Sequence, residues 1–343
     1  FFLYDVAGEN RLRPALRQVI PQPNAYVGMA FAPDGSALYV AGGSDDAVYV
    51  YARPLRAWAL AAKIELGHGD KGIGIDVRPN AGGLGLSADG RTLVVANNYN
   101  DSVSVIDTET RRVRYEHDLR PYRAANENRP GGIGGTFPFA VAIQGNSIAY
   151  VSSDRDREVI ALDISSPRGA RLIRRIPLDC NALGMTLDAA RSRLYVAQDN
   201  ADEVGVIDTR TQAVIDRIDA RAPAGLLSGA RFTGAATYAV TLTPDGKTLY
   251  AVNSGANSIA VIPLDGPRAP AVAGLIPTGY EPHDVTFSAD GGAMYIVNGK
   301  SATGPNPRLL SAGTARLTQK VGGSGDNKAA LRASRAANQY QFQ

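Results

Sequence analysis

The chain reads as an all-β propeller of four-stranded antiparallel blades, and three observations carry that reading. A short apolar segment recurs six times, beginning Leu38-Tyr39-Val40, Leu93-Val94-Val95, Ala149-Tyr150-Val151, Leu194-Tyr195-Val196, Leu249-Tyr250-Ala251 and Met294-Tyr295-Ile296. The copies lie 45 to 56 residues apart, the period of a propeller or repeat array. Four of them follow the same turn: Ala32-Pro33-Asp34-Gly35, Ser87-Ala88-Asp89-Gly90, Thr243-Pro244-Asp245-Gly246 and Ser288-Ala289-Asp290-Gly291. Before residue 300 no segment carries the helical period that a parallel α/β fold needs between strands.

The copy from Tyr238 to Ile262 sets the grammar. Tyr238–Leu242 alternates as a strand buried on one face. In the turn Thr243–Gly246, Pro presets φ, Asp bonds back to the backbone and Gly accepts positive φ. Thr248–Val252 returns, rich in aromatic and β-branched residues. Asn253–Asn257 turns again, Ser258–Ile262 is a third strand, and residues near Val272–Ile276 form the fourth. Complete units built this way span about 26–66, 84–119, 137–178, 181–218 and 238–277. Residues 1–20 supply only a third and a fourth strand, and 282–298 only the inner two. Either the ring has seven blades and is cut within the first and last, or the two half-blades join to close six. A chain that opens on a strand without an initiator Met favours the first. Residues 299–337 read as a basic, flexible insertion poor in large apolar side chains, and Asn338–Gln343 as an outer strand of the last blade.

Charge separates the same parts. The chain carries a net +3, but residues 300–343 hold seven Lys or Arg against Asp326, leaving −3 on the rest. A propeller body of that sign lacks the basic stripe a nucleic acid requires. No run of apolar residues is long enough to span a membrane. The lone Cys180 excludes an internal disulfide and a cysteine zinc site.

Tyr250–Asn253 and Tyr295–Asn298 approximate a YVTN segment, and by these repeats the chain resembles YVTN-repeat, YncE-like β-propellers. Val297–Ser301 with Gly304–Pro307, and Asn338-Gln339-Tyr340, further resemble the propeller half of bacterial propeller/alkaline-phosphatase fusion proteins. Leu66–Gly69, Ala96–Val105 and Phe137-Pro138-Phe139 are similar to that group as well. The resemblance implies seven blades, export to the periplasm or cell envelope, and a non-catalytic module. Metal ligands and nucleophile would belong to a phosphatase domain that nothing in this chain matches. It implies no cofactor and no metal here, and as partner another protein or that domain.

Candidate residues follow from where loops gather. Turns between second and third strands share a face with the interblade links, and the elaborated loops 67–83, 120–137 and 219–237 all fall there, where function usually sits. His283, in Glu281-Pro282-His283-Asp284, lies at the mouth of an inner strand. With Asn24, Tyr26, His68, Tyr238 and Lys300 it makes the candidate binding set at the loop face and channel mouth. A histidine there could bind a metal or relay a proton, but a metal needs several ligands, and capping the strand end through hydrogen bonds is the simpler account. The acidic runs Asp154–Glu158 and Asp199–Glu203 fail the spacing of a calcium loop. They read as turns that keep the face soluble, with the basic insertion laid across them. Gly131–Gly135 precedes a strand instead of opening a helix, unlike a phosphate loop. The reading that results is a non-enzymatic module presenting a loop-rich face. The alternative is a lactonase-like propeller enzyme acting at the central channel, which requires His283 to converge with two carboxylates around the pore.

Overall fold

A computed structural model describes residues 1–22, 24–54, 56–69, 79–121, 136–226, 234–267 and 269–300. The expected insertion beyond residue 300 and the strand at 338–343 lie outside the described residues.

The described strands form seven antiparallel sheets. β1 (Phe2–Asp5) pairs with β2 (Ala15–Val19). Five four-stranded sheets follow in chain order. They are β3 (Met29–Phe31), β4 (Ala37–Ala41), β5 (Ala47–Ala52) and β6 (Ala59–Glu65); then β7 (Ala81–Leu86), β8 (Thr92–Asn97), β9 (Ser102–Asp107) and β10 (Arg112–Asp118). Next come β11 (Pro138–Gln144), β12 (Ile148–Ser153), β13 (Glu158–Asp163) and β14 (Arg171–Pro177), and β15 (Ala182–Asp188), β16 (Arg193–Gln198), β17 (Glu203–Asp208) and β18 (Ala213–Asp219). The fifth is β19 (Thr237–Leu242), β20 (Thr248–Asn253), β21 (Ser258–Pro263) and β22 (Gly274–Pro277). β23 (Tyr280–Phe287) and β24 (Met294–Lys300) make the last pair. β24 continues through Gly299 and Lys300, two residues past the expected end at Asn298.

The recurrent segments are second strands; β4, β8, β12, β16 and β20 are largely buried on both faces between neighbouring sheets, whereas β24 stays partly exposed. The core is therefore a series of clusters lying between sheets. Leu93, Val95 and Ile106 pack on Tyr39, Val48 and Ile64; Val94, Val103 and Val105 pack on Val151, Ile160 and Leu162. Equivalent clusters join the remaining four-stranded sheets and seat β23–β24 on β19–β22. Leu162 is fully buried in one of them. Leu162→Ala is expected to lower unfolding stability by about 2–5 kcal/mol through lost burial plus a cavity, measured by denaturant titration.

Two repeated contacts decide the ring count. The second-strand tyrosine of one sheet reaches the link between third and fourth strands of the next. Tyr39 meets Thr108 in this way, and the Tyr150 hydroxyl accepts from Gln212 Nε2 at 3.0 Å. Arg191, in the first turn of its sheet, pairs with Asp265 in that same link of the following one. Both relations hold at the chain ends: the Tyr295 hydroxyl donates to the Arg11 carbonyl at 3.1 Å, and Asp290 pairs with Arg11 at 2.7 Å. Arg11 lies between β1 and β2, so β1–β2 are third and fourth strands of the sheet after β23–β24. Its other side packs through Phe1 and Leu3 onto Leu38, Val40 and Tyr51. The order is that of a seven-bladed propeller, and closure into six by merging the half-blades does not occur.

A second device recurs in four of the five four-stranded sheets, the sheet β11–β14 having Arg157 at the equivalent position. The last residue of the turn between second and third strands adopts a left-handed conformation in Asp46, Asp101, Asp202 and Asn257, a region Asp and Asn tolerate. Its side chain accepts backbone N–H groups at the head of the next inner strand: Asp101 from Phe137 at 2.9 Å, Asp202 from Ala236 at 2.6 Å, Asn257 from Glu281 at 2.7 Å. Asp46 accepts from His68 and Gly69. Asp202, expected as a solubilising turn residue, is thus an interblade latch, as are Asp46 and Asp101.

Candidate active site at the channel mouth

Inner strands run from the face of these latches toward the opposite face, and in all of them but β3 the ladder shifts register near the head. The breaks fall between Ala81 and Leu84, Pro138 and Val141, Ala182 and Met185, Thr237 and Ala239, and Pro282 and Asp284. A bulge re-aims the extra residue. Here it turns Phe139, Tyr238 and His283 into the middle of the ring. Phe139 (on β11) and Tyr238 (on β19) belong to sheets separated by another, yet their rings meet edge to face at 5.8 Å. The Tyr238 ring stacks on His283 at 5.0 Å. Inner strand β7 has no side chains to spare for this layer: a Cβ on Gly83 would lie 2.2 Å from the Phe139 carbonyl oxygen.

His283 is half-exposed, with Nε2 3.8 Å from Glu281 Oε1, and Lys300 Nζ holds Glu281 Oε2 at 2.6 Å. The Lys300 bond keeps the Glu281 carboxyl below its ordinary range. Glu281 itself sits at φ +52, uncommon for a non-glycine residue and costing about 1 kcal/mol or more; the Asn257 latch holds it there. Asp284 reaches solvent, but the channel wall around it removes enough water to raise its carboxyl above the usual value. Burial raises the Tyr238 phenol to about 12, aided by Tyr26, Asp154, Asp284 and Glu281. The phenol is therefore a hydrogen-bond donor at neutral pH. Burial also raises Tyr26. Gly299 makes room for the imidazole: a Cβ there would lie 2.9 Å from His283 Nε2.

Of the candidate residues, the fold brings Tyr26, Tyr238, His283 and Lys300 to the mouth. Asn24 lies off it, donating to Asp45 at 2.6 Å in the loop before β3. His68 is 4 % exposed between two sheets. Its Nδ1 lies 2.6 Å from Asp46, its Nε2 3.1 Å from Glu116 and 3.4 Å from Asn97. Burial alone would lower its pKa, but the bonds to Asp46 and Glu116 raise it to about 9. Such a histidine, with both nitrogens engaged, is an interblade staple. Sequence reasoning missed Glu281, Asp284, Phe139 and Gly299 as channel residues. One signal was present: Pro138 and Pro282 each precede the residue that turns inward. Among the described residues no group of three or more His, Cys, Asp or Glu is placed to hold a metal ion.

Comparison with known proteins bears on what this geometry does. Residues 184–304 match a family described as Lactonase, 7-bladed beta-propeller. The chain is 32% identical over 146 residues to the seven-bladed beta-propeller protein Rv1057 of Mycobacterium tuberculosis, a stretch covering 40% of this chain and 32% of that protein. A structure titled as a putative 6-phosphogluconolactonase from Bacteroides uniformis superposes with a TM-score of 0.62 at 16% identity, over 83% of this chain and 81% of that one. One from Bacteroides fragilis, under the same description, gives 0.61 at 15% identity over 84% and 80%. The β-propeller domain of Cps50 (Swd1) from Myceliophteria thermophila gives 0.59 at 13% identity over 84% and 82%. At these identities the structural likenesses establish the fold. The family match corrects the expectation of a non-enzymatic module: the lactonase-type stretch extends from β15 through β24, across three of the seven described sheets and the whole Tyr238–His283–Lys300 constellation.

Proposed function

We propose that this propeller is a lactonase-like hydrolase whose active site is the channel mouth around His283. The observation that carries the reading is the coincidence of two independent facts. The stretch matching the lactonase family contains Tyr238, Glu281, His283, Asp284 and Lys300, and the fold gathers these residues at one place. Of the two carboxylates that the enzymatic alternative calls for, Glu281 lies 3.8 Å from the His283 ring, which supports the reading, and Asp284 is the next residue in the strand.

The chemistry follows from the roles these groups can fill. Neutral imidazole takes a proton from water as its oxygen attacks the lactone carbonyl. The oxyanion that forms is met by the Tyr238 phenol and the Lys300 ammonium. Collapse breaks the ring C–O bond, and the imidazolium returns its proton to the departing alkoxide, giving a hydroxy acid. Glu281 orients the imidazole and stabilises it while charged.

Acid release from a panel of five- and six-membered lactones, followed in a pH-stat, tests the proposal. Saturable hydrolysis of at least one lactone is expected; rates equal to buffer for all of them would overturn it. Gly299→Ala provides a finer check. Its methyl must displace the imidazole, so kcat is expected to fall about tenfold with the melting temperature unchanged.

A further inference from the structure

Of the four latches, the one that borders the channel mouth differs in charge from the rest. Asp46, Asp101 and Asp202 are carboxylates, and Asn257 is an amide. The residues they hold differ in step. Asp101 and Asp202 hold Phe137 and Ala236, whose side chains carry no charge, whereas Asn257 holds Glu281. Phe137, Ala236 and Glu281 all stand at positive φ, +47, +49 and +52, a region that an L side chain leaves unless a contact keeps it there. An aspartate at 257 would set a second carboxylate beside Glu281, and like charges so placed favour protonation of one of them.

The turn that ends in Asn257 grips β23 twice on the approach to His283. Asn257 Oδ1 accepts the Glu281 N–H at 2.7 Å, and Ser254 Oγ donates to the Pro282 carbonyl at 2.5 Å. The Asn257 backbone is fixed in turn, its carbonyl accepting the Thr278 N–H at 3.0 Å. Held at φ +52, Glu281 sends one carboxylate oxygen to Lys300 Nζ at 2.6 Å and places the other 3.8 Å from His283 Nε2. Return of φ to the ordinary negative region would swing that side chain off both partners.

We infer that Asn257 is a positioning residue for His283: through the Glu281 backbone it aims a carboxylate at the imidazole, and as an amide it does so without adding a charge of its own. Its bearing on catalysis rests on the lactonase reading. The charged and titratable groups around His283 are Glu281 and Asp284 on its own strand, Lys300 on β24 and Tyr238 on β19. Asn257 bonds to Glu281 among these, so its effect on the imidazole should pass through that residue.

Two variants of the full-length protein separate aim from charge. Asn257→Ala removes the acceptor; Asn257→Asp keeps it in the form found at Asp101 and Asp202. On a lactone substrate, Asn257→Ala should lower kcat about tenfold with KM little changed, and should lower it no further once Glu281 is already alanine. Asn257→Asp should melt as the parent does and keep its plateau kcat, with the acid limb of the pH–rate profile moved up by roughly half a unit. The chain has three histidines, so NMR titration of the imidazole protons follows His283 without any substrate, its signal being the one missing in His283→Gln. Glu281→Gln should move that titration to lower pH in the parent and leave it nearly in place in Asn257→Ala, while Asn257→Asp moves it up. A parent that cleaves no lactone would sink the catalytic reading, and the titrations would still decide the positioning. Full kcat in Asn257→Ala, an equal loss in the Glu281→Ala background, a response to Glu281→Gln as large in Asn257→Ala as in the parent, or an unmoved titration in Asn257→Asp would each overturn the inference.

Discussion

His283→Ala is expected to lower kcat/KM for lactone hydrolysis by about 10²–10⁴-fold, or roughly 3–5 kcal/mol of transition-state stabilisation. The side chain is 43% exposed and makes no core contact beyond its stack on Tyr238, so the variant should fold and melt as the parent does. The loss should fall on kcat, since imidazole acts on the attacking water and the leaving oxygen and not on the bound ring. Glu281→Gln separates positioning from proton transfer. It keeps the shape but gives up the charge that holds Lys300, and a smaller loss with a shifted pH–rate profile is expected. An alanine variant with full activity would remove His283 from the mechanism.

The second large effect concerns stability against pH. His68 has a folded pKa of about 9, above its unfolded value of 6.5, so the folded protein holds the proton more tightly. The associated stability is fully present below about pH 6.5 and is lost as pH rises toward 9, by up to about 3 kcal/mol. The Glu116 carboxyl is held low despite its burial, by His68 and by Ser102, which donates to it at 2.5 Å. Its contribution fades instead on the acid side. Urea unfolding at pH 6 and pH 9 should show the parent losing about 3 kcal/mol more than His68→Gln does. The glutamine variant should already be weaker at pH 6 by a comparable amount, because it strands the paired carboxylates. Parallel pH profiles for the two proteins would refute the staple.

These two histidines show how much the sequence could disclose. The sheets were legible because strand and turn signals are local: the Pro/Ala-Asp-Gly turns and Tyr-Val second strands repeat with little variation. Even the half-sheets at residues 1–20 and 282–298 could be recognised as such. Assigning β1–β2 to its own position needed the Tyr295–Arg11 contact, which joins residues 284 apart. His283 was visible as a residue at a strand head, but its aim depends on a bulge, and the stack on Tyr238 depends on neighbouring sheets. His68 looked like a loop histidine because its partners Asp46 and Glu116 are 22 and 48 residues away. Short-range pattern cannot tell a latched carboxylate from a solvated one, which is why Asp202 read as a soluble turn.

Those latches give the molecule a direction in time. Each Asp or Asn binds backbone that is synthesised later: Asp101, Asp202 and Asn257 at the head of the following sheet, Asp46 in the link that leads to it. As the chain leaves the ribosome, a finished sheet therefore waits with its acceptor already shaped, and the next strand head completes it. The latches thus point the same way as synthesis, except in the sheet β11–β14, where Arg157 holds the equivalent position. Asp202→Ala would remove the acceptor that Ala235 and Ala236 share at the head of β19.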